Sequence, residues 1–232
     1  MGAQRGDDAE PLPVAFARLL DKAGFEVVYP RGISNLCCGQ PFESKGLAAA
    51  ADRKSGELES ALREASEDGR WPIVFDTSPC TYRMRRQRGA PPVSDSIEFI
   101  HDVVLARVAI VRSEQPALIH PVCSVRKMGS VDKLNAIAAR CSAEVVGVSD
   151  VLCCGFAGEK GFTRPELNEH ALRHLRQAVP AGCTHGYSSS RTCEIGLSEQ
   201  AGIPYRSIVD LVDRCARRLT GGTTTQEMET TG

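Results

Sequence analysis

The sequence predicts an α/β protein built from two repeated units with parallel-type sheets, the first unit incomplete at its start. Three observations predict it. Leu36-Cys37-Cys38-Gly39 returns as Leu152-Cys153-Cys154-Gly155. Around both copies, helix-periodic stretches alternate with short β-branched ones, the pattern of strands joined by crossover helices. Each copy then places one more cysteine after a short strand, Cys80 in the first and Cys193 in the second.

The elements follow in order. In the first copy a helix is expected over residues 14–23, stopped by Gly24, then a strand over 26–29 with the sequence Glu-Val-Val-Tyr. The cysteine pair runs on to Lys45-Gly46-Leu47, a helix over 47–65, a strand over 73–76, Cys80, and a closing helix at Ser96-Ile97-Glu98-Phe99-Ile100. The second copy opens with a strand over 117–120 and Cys123. A helix over 131–140 and a strand over 144–146 lead to its cysteine pair and to Lys160-Gly161-Phe162. A helix over 166–178, a strand over 185–188, Cys193 and a helix at Ser207-Ile208-Val209-Asp210-Leu211 complete it. The units are therefore residues 1–105 and 106–219. The Gly, Thr and Glu of 220–232 are too polar to pack and are expected to be disordered.

The copies differ at their beginnings. Cys123 and the strand before it have no counterpart in the first copy. Cys123 stands five residues before Met128. If Met1-Gly2 matches Met128-Gly129, the missing cysteine would lie five residues before Met1. A sheet short of a strand leaves backbone groups unpaired, so the expectation is a piece of a longer protein or a start placed too late.

Composition narrows the function. The formal net charge is −1 over 232 residues, with both signs mixed, which recommends neither nucleic acid nor an anionic membrane as partner. No apolar run is long enough to span a bilayer and the N-terminus has no secretory core. A cytoplasmic protein is expected, with peripheral attachment at the inner face of the cell membrane as the remaining membrane association. Ten cysteines in a reducing compartment point to ligands or redox groups rather than structural disulfides. Ligands of parallel sheets gather beyond the carboxyl ends of the strands, where these cysteines fall.

Cys123, Cys153, Cys154 and Cys193 are the stronger candidate metal ligands, a full thiolate set. Cys37, Cys38 and Cys80 are candidates that lack a fourth. Cys141, Cys183 and Cys215 have no counterpart between copies and read as packing residues. Lys45 and Lys160 could offset thiolate charge or simply be solvated. His120 could ligate metal or mark a strand exit, while His101, His170 and His174 read as surface residues. No phosphate-binding glycine fingerprint opens a helix, and no Ser-His-Asp or paired-carboxylate arrangement stands out, so catalytic residues stay unassigned.

Four stretches carry a resemblance: Leu36-Cys37-Cys38-Gly39-Gln40-Pro41-Phe42-Glu43-Ser44-Lys45-Gly46, His120-Pro121-Val122-Cys123-Ser124, Cys153-Cys154-Gly155-Phe156-Ala157-Gly158 and Ser190-Arg191-Thr192-Cys193-Glu194-Ile195-Gly196. With the order Cys…Cys-Cys-Gly…Cys given twice, the chain resembles the cysteine-rich CCG domain family. That family includes the heterodisulfide reductase B subunit, the glycolate oxidase iron–sulfur subunit and lactate-utilisation proteins. The likeness is strongest to the C-terminal iron–sulfur region of flavin-linked D-lactate and D-2-hydroxyacid dehydrogenases.

The resemblance implies a [4Fe–4S] cluster on the cysteines named above, with zinc as the alternative metal, and an electron-transfer role. It implies a flavin-binding dehydrogenase domain or subunit as partner, with FAD held there or in a missing N-terminal region, and a quinone or electron carrier as acceptor. Activity of the chain alone is not expected. Many members end the motif with Cys-x-x-Cys, whose first position is Thr77 or Ser190 here. Hydroxyls are poor soft-metal ligands, which weighs against the five-thiolate, heterodisulfide-reducing alternative. A zinc-binding or metal-free docking scaffold is the third reading.

Overall fold

The computed structural model describes residues 10–87, 89–148 and 151–219. The first helix, α1 (Leu12–Lys22), has Pro13 in its first turn, where the missing N–H costs nothing, and stops at Ala23 and the left-handed Gly24. Its apolar face, Ala15, Phe16, Leu19 and Leu20, is buried. After the cysteine pair come the single turn α2 (Gln40–Glu43) and the long α3 (Ala48–Ala65). Strand β1 (Ile73–Phe75) leads to α4 (Ser78–Arg85), then β2 (Val93–Asp95) and α5 (Ser96–Asp102). Strand β3 (Val108–Ile110) follows, just past the end of the first unit.

The second half runs β4 (Ala117–Ile119), α6 (Cys123–Met128), α7 (Val131–Cys141) and β5 (Val145–Gly147). Then come the short helices α8 (Lys160–Thr163) and α9 (Pro165–Ala171), β6 (His185–Ser188), α10 (Arg191–Ala201), β7 (Tyr205–Ser207), α11 (Ile208–Cys215) and β8 (Ala216–Arg218). Strands β5-β4-β6-β7 form a wholly parallel sheet with β4 inside it. The protein is α/β, as its sequence predicts.

The first half repeats this plan in part. Strands β1 and β2 pair in parallel with Ile73 opposite Val93, as Gly186 of β6 lies opposite Tyr205 of β7. The expected strand over 26–29 is not one: residues 25–30 are without regular structure, and Val28 and Tyr29 are exposed. The reason is topological. The equivalent β5 is a strand because it pairs with β4, and among the described residues the first half has no β4. The expected helix over 166–178 also ends early, at Ala171, with a separate turn of 3-10 helix at Arg176–Ala178. The proposed match of Met1-Gly2 to Met128-Gly129, and the tail from 220, lie outside the described residues.

The closing helices begin one residue apart from the expected match of Ser96 to Ser207. Asp95 caps α5 by accepting from the Ile97 N–H, in a capping box with Glu98. Ser207 caps α11 by accepting from the Val209 N–H. Asp95 is thus the counterpart of Ser207.

Both halves contribute to one core. Phe16, Leu19, Ile97 and Ile100 pack in the same apolar cluster as Leu134, Ile137, Ile208 and Val212. Each such side chain, fully buried, contributes about 1.5–3 kcal/mol of hydrophobic stabilisation. The antiparallel pairing of β3 with β8 and the packing of α1 on α11 tie the ends together. Within that joint the buried Asp213 carboxylate accepts from Arg18 Nε at 2.9 Å and pairs with Lys22 Nζ at 2.8 Å.

Candidate functional site

The parallel strands aim their carboxyl ends at one cavity of about 2100 Å³ between the halves, and all seven candidate ligand cysteines line it. Cys37 and Cys38 enter from the loop before α2 and Cys80 from the first turn of α4. Cys123 opens α6 beyond β4, Cys153 and Cys154 follow β5, and Cys193 lies in the first turn of α10 beyond β6. The repetition seen in the sequence becomes a repeated geometry. In the first half Cys38 Sγ lies 3.0 Å from Cys80 Sγ, and in the second Cys154 Sγ lies 3.0 Å from Cys193 Sγ. The Gly39 N–H donates to Cys37 Sγ at 3.4 Å, and the Gly155 N–H to Cys153 Sγ at the same distance.

The glycines are required by close approach. Gly39 and Gly155 both have left-handed backbones, φ 84° and 73°. A Cβ on Gly39 would stand 2.3 Å from the Ala51 carbonyl oxygen, and one on Gly155 would stand 2.3 Å from that of Leu167. The pair-bearing turn is therefore pressed against a helix in each half, α3 or α9, and only glycine permits both the turn and the contact.

Sulfur–sulfur contacts set the charge. A hydrogen bond with Cys80 draws the Cys38 thiol down to about 7 despite its burial, and the same bond, with burial, pushes Cys80 up. In the second half, bonds with Cys123 and then Cys154 draw Cys153 far below the thiol range. Cys123 and Cys154 are pushed up in exchange. Cys123, Cys153, Cys154 and Cys193 thus line one side of the cavity together, with Cys154 Sγ against Cys193 Sγ and the Gly155 N–H on Cys153 Sγ. Among the described residues, no three of His, Cys, Asp and Glu converge on a point that would hold a single metal ion.

The halves differ behind their sulfurs. In the second, the buried Asn168 side chain donates to the Cys154 carbonyl at 2.6 Å and fills the space over Gly196, where a Cβ would come within 2.3 Å of Asn168 Nδ2. In the first, the buried Arg83 donates to Glu43 at 2.8 Å and Asp52 at 2.7 Å, and its charge lowers the Cys38 thiol further. Sequence reading missed both Asn168 and Arg83. Neither belongs to a cysteine motif, and their only signal is position along helices that pack behind one.

Other candidates fall elsewhere. Cys141, Cys183 and Cys215 are buried and none lines the cavity. Cys215 Sγ donates to the Cys141 carbonyl at 3.4 Å. Lys45 pairs with Glu159 at 2.8 Å, a bridge between the halves rather than to a sulfur, and Lys160 is exposed. His120 is buried, its Nε2 without a hydrogen-bond partner among the described residues, and desolvation lowers it to about 4. It is neutral at pH 7. His101 pairs with Asp102, and His170 and His174 are exposed.

Residues 2–85 match the family described as CCG, cysteine-rich domain. This stretch of the chain is similar to a cysteine-rich CCG domain. That match takes in the first Cys-Cys-Gly turn and Cys80, and it suggests a metal-binding or iron–sulfur-type module there. The second half repeats the geometry of the CCG domain sulfur for sulfur and adds Cys123. No curated protein matches the chain. No helix among the described residues is long and apolar enough to cross a membrane.

Proposed function

We propose that this CCG protein is the iron–sulfur electron-transfer module of a flavin-linked D-lactate or D-2-hydroxyacid dehydrogenase. It takes electrons from a flavin held on a partner domain or subunit and passes them to a quinone or carrier. The observation that carries the reading is the placement of Cys123, Cys153, Cys154 and Cys193, four thiols after successive strands that all line one cavity. The donor chemistry fits. Soft thiolates select iron–sulfur or zinc centres, and a [4Fe–4S] cluster takes one thiolate on each iron, so its ligands need not converge on a point as those of a tetrahedral zinc must. The hydroxyacid and the flavin partner are supported by the flanking motifs shared with that family region.

Cys123, Cys153, Cys154 and Cys193 would hold the cluster, which supplies reversible one-electron storage when bound. The remaining residues prepare the place. Gly155 directs its N–H at Cys153 Sγ, the kind of contact that stabilises negative charge on sulfur and tunes potential. Asn168 fixes the backbone of Cys154, and the buried Val122, Val151 and Phe156 exclude water behind the ligands. Anaerobic purification followed by iron and sulfide analysis and electron paramagnetic resonance tests the assignment. Matched iron and sulfide with a reducible cluster signal is expected. Zinc without iron in anaerobic material would overturn it.

A further inference from the structure

Among the described residues the first half has no strand in the place that β4 takes in the second. Strand β6 is hydrogen-bonded on both edges, to β4 and to β7, whereas among the described residues its counterpart β1 is paired on one edge only, to β2. Val27 and Val28, from the segment that is the counterpart of β5 in sequence, line the same cavity as Ile73 and Val74 of β1. Open edges of this kind take up added strands through main-chain hydrogen bonds, with side-chain pockets giving selectivity.

We propose that this slot docks an extended, apolar strand followed by a cysteine, running parallel to β1, from polypeptide outside residues 1–232. The occupant's chemistry is read from the second half, where the same place is filled by Ala117-Leu118-Ile119 with Cys123 after it. Its source is set by elimination. All ten cysteines lie among the described residues, and neither residues 1–9 nor 220–232 contains one or has a β-branched apolar run. The register follows from the matched pairs. Leu118 lies opposite Gly186, the counterpart of Ile73, and Ile119 opposite Tyr187, the counterpart of Val74. An occupant in that register brings its cysteine to the carboxyl end of β1, beside Cys37, Cys38 and Cys80. The docking stands on sheet topology alone; the role of the cysteine as a fourth ligand rests on the iron–sulfur reading.

The test adds to the full chain, under reducing and oxygen-free conditions, a synthetic peptide with the sequence of residues 116–127, and follows amide hydrogen exchange. The expected result is slowed exchange across 26–29 and Ile73–Phe75, given equally by a peptide with serine in place of its cysteine and not by a scrambled one. Only the cysteine peptide is expected to raise iron bound per chain on reconstitution. Protection without the gain in iron would uphold the slot and count against the cluster reading of the first half. No slowing at saturating peptide, or equal slowing by the scrambled peptide, would overturn the slot. Concentration-dependent slowing at these amides in the chain alone would overturn it in favour of a second copy.

Discussion

Ser78 and Ser189 join the two halves at the ends of their strands. The Ser78 N–H donates to the Ser189 carbonyl at 3.1 Å, and Ser78 Oγ donates to Ser189 Oγ at 2.8 Å in a buried contact. Cys80 follows Ser78 by two residues and Cys193 follows Ser189 by four. This pair of bonds therefore fixes the two inner sulfur contacts relative to each other, and the site behaves as one structural object.

Cys154→Ser is expected to lose most of the iron bound by the second set, because a serine hydroxyl stays protonated near neutral pH and is a poor soft-metal donor. Since metal binding contributes to folding, thermal stability should fall with it. Cys183→Ser and Cys215→Ser should keep the iron and lose on the order of 1 kcal/mol of packing. Iron content and melting temperature of the three variants check this, and equal values in all three would refute the ligand assignment.

Gly155→Ala should distort the Cys153-Cys154 turn, since its Cβ would stand 2.3 Å from the backbone oxygen of Leu167. A left-handed non-glycine backbone alone costs of order 1–3 kcal/mol, and the collision adds to it. Gly46→Ala supplies the control, with φ 76° and nothing within 4 Å of its Cβ. Denaturant midpoints should fall further for Gly155→Ala, and only that variant should lose metal.

His120 makes stability depend on pH in a known direction. Its folded value of about 4 lies below the unfolded value near 6.5, so the unfolded chain binds the proton more readily. The stability contributed by keeping it neutral is present above pH 6.5 and is lost as pH falls from 6.5 towards 4, on the order of 3 kcal/mol in all. His120→Asn should flatten urea-unfolding stability over that window. An unchanged slope would show that another group controls it.

Asp213→Ala should loosen the joint between α1 and α11, because Arg18 and Lys22 lose the one buried carboxylate they share. A loss of about 1–3 kcal/mol is expected. Adding Lys22→Met to it should cost less than the sum of the separate effects, and strict additivity in a double-mutant cycle would argue against the contact.

Much of the site was legible in the sequence because thiols and glycines announce themselves. The repeated Cys-Cys-Gly turn, Cys80 and Cys193 all meet in one cavity. Other features were hidden for physical reasons. Residues 26–29 have strand propensity, but propensity forms a strand only where a neighbour supplies hydrogen bonds. Ala216–Arg218 follows α11 without a break, so nothing local marks it as the partner of β3. Asn168 and Arg83 act through packing across helices, which no linear motif records.

The shared core has a consequence for cooperativity. Phe16 and Leu19 bury themselves against residues of the other half, and Ile208 and Val212 do the same in return. A repeat in the sequence is here not a repeat of the folding unit, since neither half keeps its apolar surface covered when cut from the other. Heat or denaturant should therefore melt both halves in a single transition, and a protease that nicks between them should release no stable fragment.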